Sequence, residues 1–91
     1  MNLKWTGKAL SDLARLHEFL APVNPKAAAA TVRSLTGAAN RLRELPRIGE
    51  KLEGFPEREI RRIVVGKYEM RYEIRLSTVF IMRLWHTREN R

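Results

Sequence analysis

The chain has 91 residues, 44% hydrophobic and 31% charged, which is enough for one core and leaves no room for a second domain, so residues 1–91 are read as a single domain. With no cysteine there is no disulfide framework, thiolate nucleophile or thiolate metal site, and the two histidines are too few to suggest a zinc centre; no cofactor is expected. Eighteen Lys and Arg against ten Asp and Glu give a formal charge of +8, a field that favours an anionic partner.

Met1 to Lys8 lacks the apolar core of a signal peptide, and no apolar run approaches the roughly 20 residues of a membrane span, so a cytoplasmic protein without membrane contact is expected. Asn2 to Thr6 alternates as a short edge strand, with Leu3 and Trp5 on one side. Thr6 then caps a helix whose stripe is Ala9, Leu10, Leu13, Leu16 and Leu20, and Pro22 ends it. Asn24-Pro25 restarts a helix from Pro25 to Leu45, with Ala28, Val32, Leu35, Ala39, Leu42 and Leu45 on one face, and Pro46 stops it. The short connection between them predicts an antiparallel helix hairpin.

Pro46 to Pro56 reads as a loop crossing the domain, pinned by Ile48, Leu52 and Phe55. The period then changes to two. Glu59 to Val65 is a strand, and Tyr68, Met70, Tyr72 and Ile74 alternate with Glu69, Arg71, Glu73 and Arg75 in the next one. Val79 to Trp85 is apolar at nearly every position, as in a central strand covered on both faces, with Arg83 as the interruption. Gly66-Lys67 and Leu76-Ser77 mark tight turns, and Thr87 to Arg91 is a basic tail. The fold class is therefore α+β: an N-terminal strand, a helix hairpin and a three-stranded antiparallel meander, with the helices packed on one face of the sheet.

No glycine-rich phosphate loop, HExxH, nucleophile elbow or recognisable carboxylate pair is present. The chemistry on offer is basic, concentrated in Arg58, Arg61, Arg62, Lys67, Arg71, Arg75, Arg83, Arg88 and Arg91. Arginines on a sheet with Tyr68, Tyr72 and Trp85 suit a small RNA-binding module, while ion pairs of Arg71 and Arg75 with Glu69 and Glu73 on a solvated face explain the same residues without a ligand. Arg61 and Arg62 are adjacent in a strand, so one of them faces the helix side or its margin. Arg83 poses the same question, and a carboxylate on the first helix, Asp12 or Glu18, is the structural answer to weigh against a functional one. His86, where the last strand meets the tail, is either a proton carrier near neutral pH or a hydrogen-bonded structural residue.

Taken together, Leu3-Lys4-Trp5-Thr6 with Ala9, Asp12 and Leu13, the Leu45-Pro46-Arg47-Ile48-Gly49 loop, the run Arg61-Arg62-Ile63-Val64-Val65-Gly66-Lys67-Tyr68, and the closing Leu84-Trp85-His86-Thr87-Arg88 resemble the RelE/ParE toxin superfamily over nearly the whole chain. Its members are toxins of type II toxin–antitoxin modules. The resemblance implies the same strand, helix-hairpin and meander order, and a hetero-oligomer with a cognate antitoxin, whose C-terminal segment folds along Leu10, Leu16, Ala28, Val32 and Leu35 of the hairpin and adds a strand at a sheet edge.

Two activities divide that superfamily. RelE-type members cut messenger RNA on the ribosome, and ParE-type members poison DNA gyrase. In the ribonuclease branch an aromatic-Arg-apolar-apolar-Tyr pattern supplies an arginine for the scissile phosphate. The matching stretch here is Tyr68-Glu69-Met70-Arg71-Tyr72, with a carboxylate in the arginine's place. That departure points to the ParE-like branch, with Arg61, Arg62, Arg71, Arg83, His86 and Arg88 as the surface for gyrase. On the ribonuclease reading Arg71 and Arg83 hold the phosphate and His86 moves protons.

Overall fold

Each helix begins at a side-chain cap. In the computed structural model, which describes residues 1–89, Thr6 Oγ1 accepts the Ala9 N–H at 3.1 Å and Asn24 Oδ1 accepts the Ala27 N–H at 3.0 Å. These caps open α1 (Gly7–Leu20) and α2 (Pro25–Arg41), the latter with proline at its first position. Asn90 and Arg91, the end of the expected basic tail, lie outside the described residues.

The second helix is shorter than its periodicity predicts. It ends at Arg41, and residues 42–44 continue as overlapping turns in which Leu42, Arg43 and Glu44 N–H donate to the carbonyls of Ala39, Asn40 and Arg41. Pro46 disfavours helical backbone at Leu45, so the last turn tightens, and Leu45 leaves the apolar face for solvent.

The strands are β1 (Asn2–Trp5), β2 (Glu50–Lys51), β3 (Glu59–Val65), β4 (Tyr68–Arg75) and β5 (Thr78–His86), in the sheet order β1-β5-β4-β3-β2. The expected meander is β3-β4-β5, and among the described residues no helix interrupts it. The sheet is mixed rather than wholly antiparallel, because β1 lies parallel to β5 with Asn2 opposite Thr78 and Trp5 opposite Ile81. β2, two residues inside the expected loop, extends the other edge; so short a strand carries no periodic signal.

Both helices pack on one face of the sheet. Ala9, Leu35, Ala39 and Leu42 meet Met70, Tyr72, Ile81 and Leu84 in a closed core, with Leu13 and Leu16 at its margin. Spacing places Leu10 on this stripe, but it is exposed. The crossing loop is held by polar contacts rather than by Ile48, which is also exposed. The buried Tyr72 hydroxyl donates to the Pro46 carbonyl at 2.7 Å and accepts the Gly49 N–H at 3.0 Å. Gly49 is needed there, since a Cβ would stand 2.6 Å from that hydroxyl and 2.7 Å from the Arg62 carbonyl. Leu52 and Phe55 are half-buried, as expected of loop anchors. No helix among the described residues is long and apolar enough to cross a membrane.

Candidate functional site

β4 positions the site. Its period of two sends Met70, Tyr72 and Ile74 into the core and Glu69, Arg71, Glu73 and Arg75 to the face that no helix covers. That face is not simply solvated, because Glu69 and Glu73 are buried beneath arginines. Arg58 grips Glu73 with two bonds of 3.0 and 2.9 Å, and Arg62 bridges Glu69 and Glu50, each at 3.1 Å. The Arg58 hydrogen bonds hold Glu73 below the usual glutamate range despite burial, and Glu73 raises Arg58 in return. Glu50 and then Glu69 raise Arg62 in the same way.

Arg71 stacks over Trp85 at 4.7 Å and reaches Glu69 at 3.4 Å, while its buried Nε has no hydrogen-bond partner. Alternation offers Arg75 a carboxylate partner, but its guanidinium lies over Phe80 at 4.5 Å. The second face of β5 is thus covered by guanidinium groups rather than by another layer of secondary structure.

The remaining cations sit elsewhere. Arg61 is the member of the adjacent pair at the core margin, opposite Tyr72, with its side chain only 16% exposed; it donates to Glu59 at 2.8 Å and to the Gly49 carbonyl at 2.7 Å. Burial alone would raise Glu59, but Arg47 and Arg61 outweigh it and keep the carboxyl low.

Arg83 follows Met82, the extra residue of a bulge, since Arg71 pairs with Arg83 and Tyr72 with Ile81. β1 ends opposite Ile81, so the next stretch of β5 lacks a strand neighbour on that side. The start of α1 takes over: Thr6 Oγ1 donates to the Met82 carbonyl and Asp12 Oδ2 accepts the Leu84 N–H at 2.9 Å. Asp12 also takes Arg83 Nε at 2.8 Å and Arg15 Nη2 at 2.8 Å. Burial pushes Asp12 up, but these donors prevail and hold it below its ordinary value, and Asp12 raises Arg83. Of the two carboxylates proposed for Arg83, Asp12 is the partner.

His86 and Arg88 lie at the far end of β5. The His86 Nδ1 accepts the Arg88 N–H at 3.0 Å, and its ring meets Tyr68 edge to face at 5.3 Å. Because that Nδ1 is an acceptor, the neutral ring carries its proton on Nε2. The two residues border a groove of about 490 Å³ with Leu16, Phe19, Tyr68 and Leu84.

The six cationic candidates therefore do not form one cluster: Arg62, Arg71 and Arg83 are in-register neighbours across β3, β4 and β5, with Arg83 turned to Asp12 on α1, whereas Arg61 lies under the crossing loop and His86 with Arg88 by the groove. The hairpin residues divide too. Ala28 and Leu35 are fully buried and point into the molecule, so they offer nothing to an antitoxin; helical spacing identifies an apolar face but not what covers it. Leu16 and Val32 are half-buried and Leu10 is exposed. Phe19, an aromatic residue off the apolar stripe, is 79% exposed at the groove. Among the described residues no three metal-ligating side chains come together.

A family model described as "ParE toxin of type II toxin-antitoxin system, parDE" matches residues 3–91. "Toxin RelE2" of Caulobacter vibrioides is 34% identical over 82 residues, covering 90% of each chain. A solved structure titled "Chromosomal ParDE TA system from P. aeruginosa" is similar in fold, with a TM-score of 0.78 over 94% of this chain and 95% of the other at 19% identity.

Proposed function

Because the chain belongs to the ParE toxin family of type II toxin–antitoxin systems, and so has an antitoxin for a partner, we propose that its toxic action is inhibition of DNA gyrase through the arginine-covered sheet face. One observation carries this choice over RNA cleavage: the groups that phosphodiester cleavage would need do not converge. Arg71 is stacked on Trp85 on the helix-free face, whereas His86 pairs in register with Tyr68, whose side chain packs against the core on the helix side. Arg83 is held by Asp12. A general acid or base must come within hydrogen-bond reach of the atom it serves, and a phosphate held at Arg71 is on the wrong side of the sheet for His86. Glu69, at the position that the resemblance matches to the ribonuclease branch's phosphate-binding arginine, is a buried counter-ion for Arg62 and Arg71.

The second reading, ribosome-dependent cleavage of messenger RNA, is favoured by the name of the 34% identical relative, "Toxin RelE2". His86 would then have to reach, on the ribosome, a phosphate held by the cross-strand neighbours Arg71 and Arg83. Purified protein added to a gyrase supercoiling assay, and separately to ribosomes translating a labelled message, separates the two. Inhibited supercoiling with intact message supports gyrase; cleavage at codon positions, abolished by His86→Ala, overturns it.

A further inference from the structure

Two tight hairpins join the meander, and in each the two residues between the paired strand ends form the loop: Gly66-Lys67 between Val65 and Tyr68, and Leu76-Ser77 between Arg75 and Thr78. In both, only the first loop residue has positive φ, +60° at Gly66 and +56° at Leu76. This is the sign pattern of a type II′ turn, whose first position favours glycine because a Cβ there crowds the neighbouring peptide. The chain meets that requirement in one hairpin and violates it in the other with a leucine.

Among the described residues no side-chain packing offsets the violation. Leu76 is 93% exposed, the most exposed of the large hydrophobic side chains among the described residues. A strained backbone and an apolar side chain held in water are two independent costs to folding at one position. The tip is also anchored, since the Asn2 N–H donates to the Ser77 carbonyl at 2.8 Å. Leu76 directly follows Arg75, the last residue of the β4 row that carries Arg71 on the helix-free face, and the Arg75 guanidinium is laid over Phe80.

We propose that Leu76 is the apolar anchor by which the toxin docks on its target protein, entering a pocket whose carboxylate rim meets Arg75. Continuity with the arginine row assigns the anchor to the target rather than to the antitoxin, and this assignment rests on the function proposed above. A nucleic-acid duplex would take the arginines but offers no closed apolar pocket for a leucine, and one leucine is too little to hold a lipid surface.

Leu76→Gly removes the side chain and Leu76→Asn replaces it with a polar one, and both relieve the backbone. Both variants should unfold a few degrees higher than the parent and capture the antitoxin within twofold of its affinity. They should need at least ten times more protein for half-inhibition of supercoiling and fail to arrest growth at matched expression, whereas Leu76→Met keeps both activities within about threefold. A Leu76→Gly toxin as potent as the parent in both assays overturns the proposal. So does one that arrests growth normally but loses tenfold in antitoxin affinity, since the leucine would then serve the antitoxin. A parent that arrests growth without touching gyrase, while Leu76→Gly does not arrest growth, removes the gyrase assignment and leaves the anchor standing.

Discussion

Asp12→Ala should be among the most destabilising substitutions of any polar residue in this chain. Its carboxylate, 2% exposed, closes the stretch of β5 that β1 leaves uncovered by accepting the Leu84 N–H and both Arg83 and Arg15. Truncation strands a buried backbone N–H, at about 1–3 kcal/mol, and deprives Arg83 of its counter-ion. That second loss is discounted to about 1 kcal/mol because the Arg83 side chain is 35% exposed and water can replace much of the bond. The total is about 2–4 kcal/mol, which for a domain of this size lowers the thermal midpoint by about 10 °C or more. Arg83→Met, by contrast, leaves Asp12 with Leu84 and Arg15 and should cost about 1 kcal/mol. Urea denaturation of the two variants and the double variant measures both the costs and their coupling. Equal costs for Asp12→Ala and Arg83→Met, or a larger one for Arg83→Met, would refute the view that Asp12 serves the backbone first and the arginine second.

Tyr72→Phe should lose about 1–3 kcal/mol, because the Pro46 carbonyl and the buried Gly49 N–H both lose the hydroxyl, and amide exchange should quicken around Gly49 rather than in the helices. Acid should unfold the protein through Asp12, Glu59 and Glu73, all held below their ordinary values of 3.8, 4.5 and 4.5. Their contribution is complete above the unfolded values and is lost as pH falls through the folded ones, so chemical-denaturation midpoints should drop below about pH 4, less steeply in Asp12→Ala. Leu13→Asp should prevent folding while Leu10→Asp folds, since Leu13 packs on the core and Leu10 faces solvent; circular dichroism of the two variants decides it. If the antitoxin also covers the groove beside α1, Phe19→Ala should fold normally yet weaken antitoxin capture at least fivefold in a pull-down titration, and an unchanged affinity would place the groove outside the antitoxin interface.

The element order was legible because each signal was local: Thr6 and Asn24 at the caps, Pro25 at the start of a helix, the unbroken alternation from Tyr68 to Arg75. What escaped was set by tertiary neighbours. The bulge at Met82 breaks the alternation of β5, and it is visible only once Arg71 and Tyr72 fix the pairing on either side. Parity placed Glu69 and Glu73 on the outer face correctly but could not bury them, because burial came from Arg58 and Arg62 on the adjoining strand and the loop before it. Spacing likewise joined Leu10 to the stripe of Leu13 and Leu16, though α1 sits on the sheet through Ala9, Leu13 and Leu16 and leaves Leu10 outside.

The sequence offered two explanations for its arginines, internal ion pairs or an anionic partner, and the structure removes the opposition between them. Asp12 is shared by Arg15 and Arg83, Glu59 by Arg47 and Arg61, and Glu69 by Arg62 and Arg71. A carboxylate shared by two guanidinium groups fixes both in place and still leaves the cluster positive. The pairs are therefore what orders the positive surface, and that ordering spares a partner the entropy of immobilising long side chains. The buried carboxylates Glu69 and Glu73 act as foundations, and the arginines above them present oriented N–H groups beside Trp85 and Phe80. Replacing Glu69 with Gln would raise the net charge yet disorder Arg62 and Arg71. It should consequently weaken toxicity rather than strengthen it, and stronger growth arrest by Glu69→Gln at equal expression would show that charge alone, and not its arrangement, drives recognition.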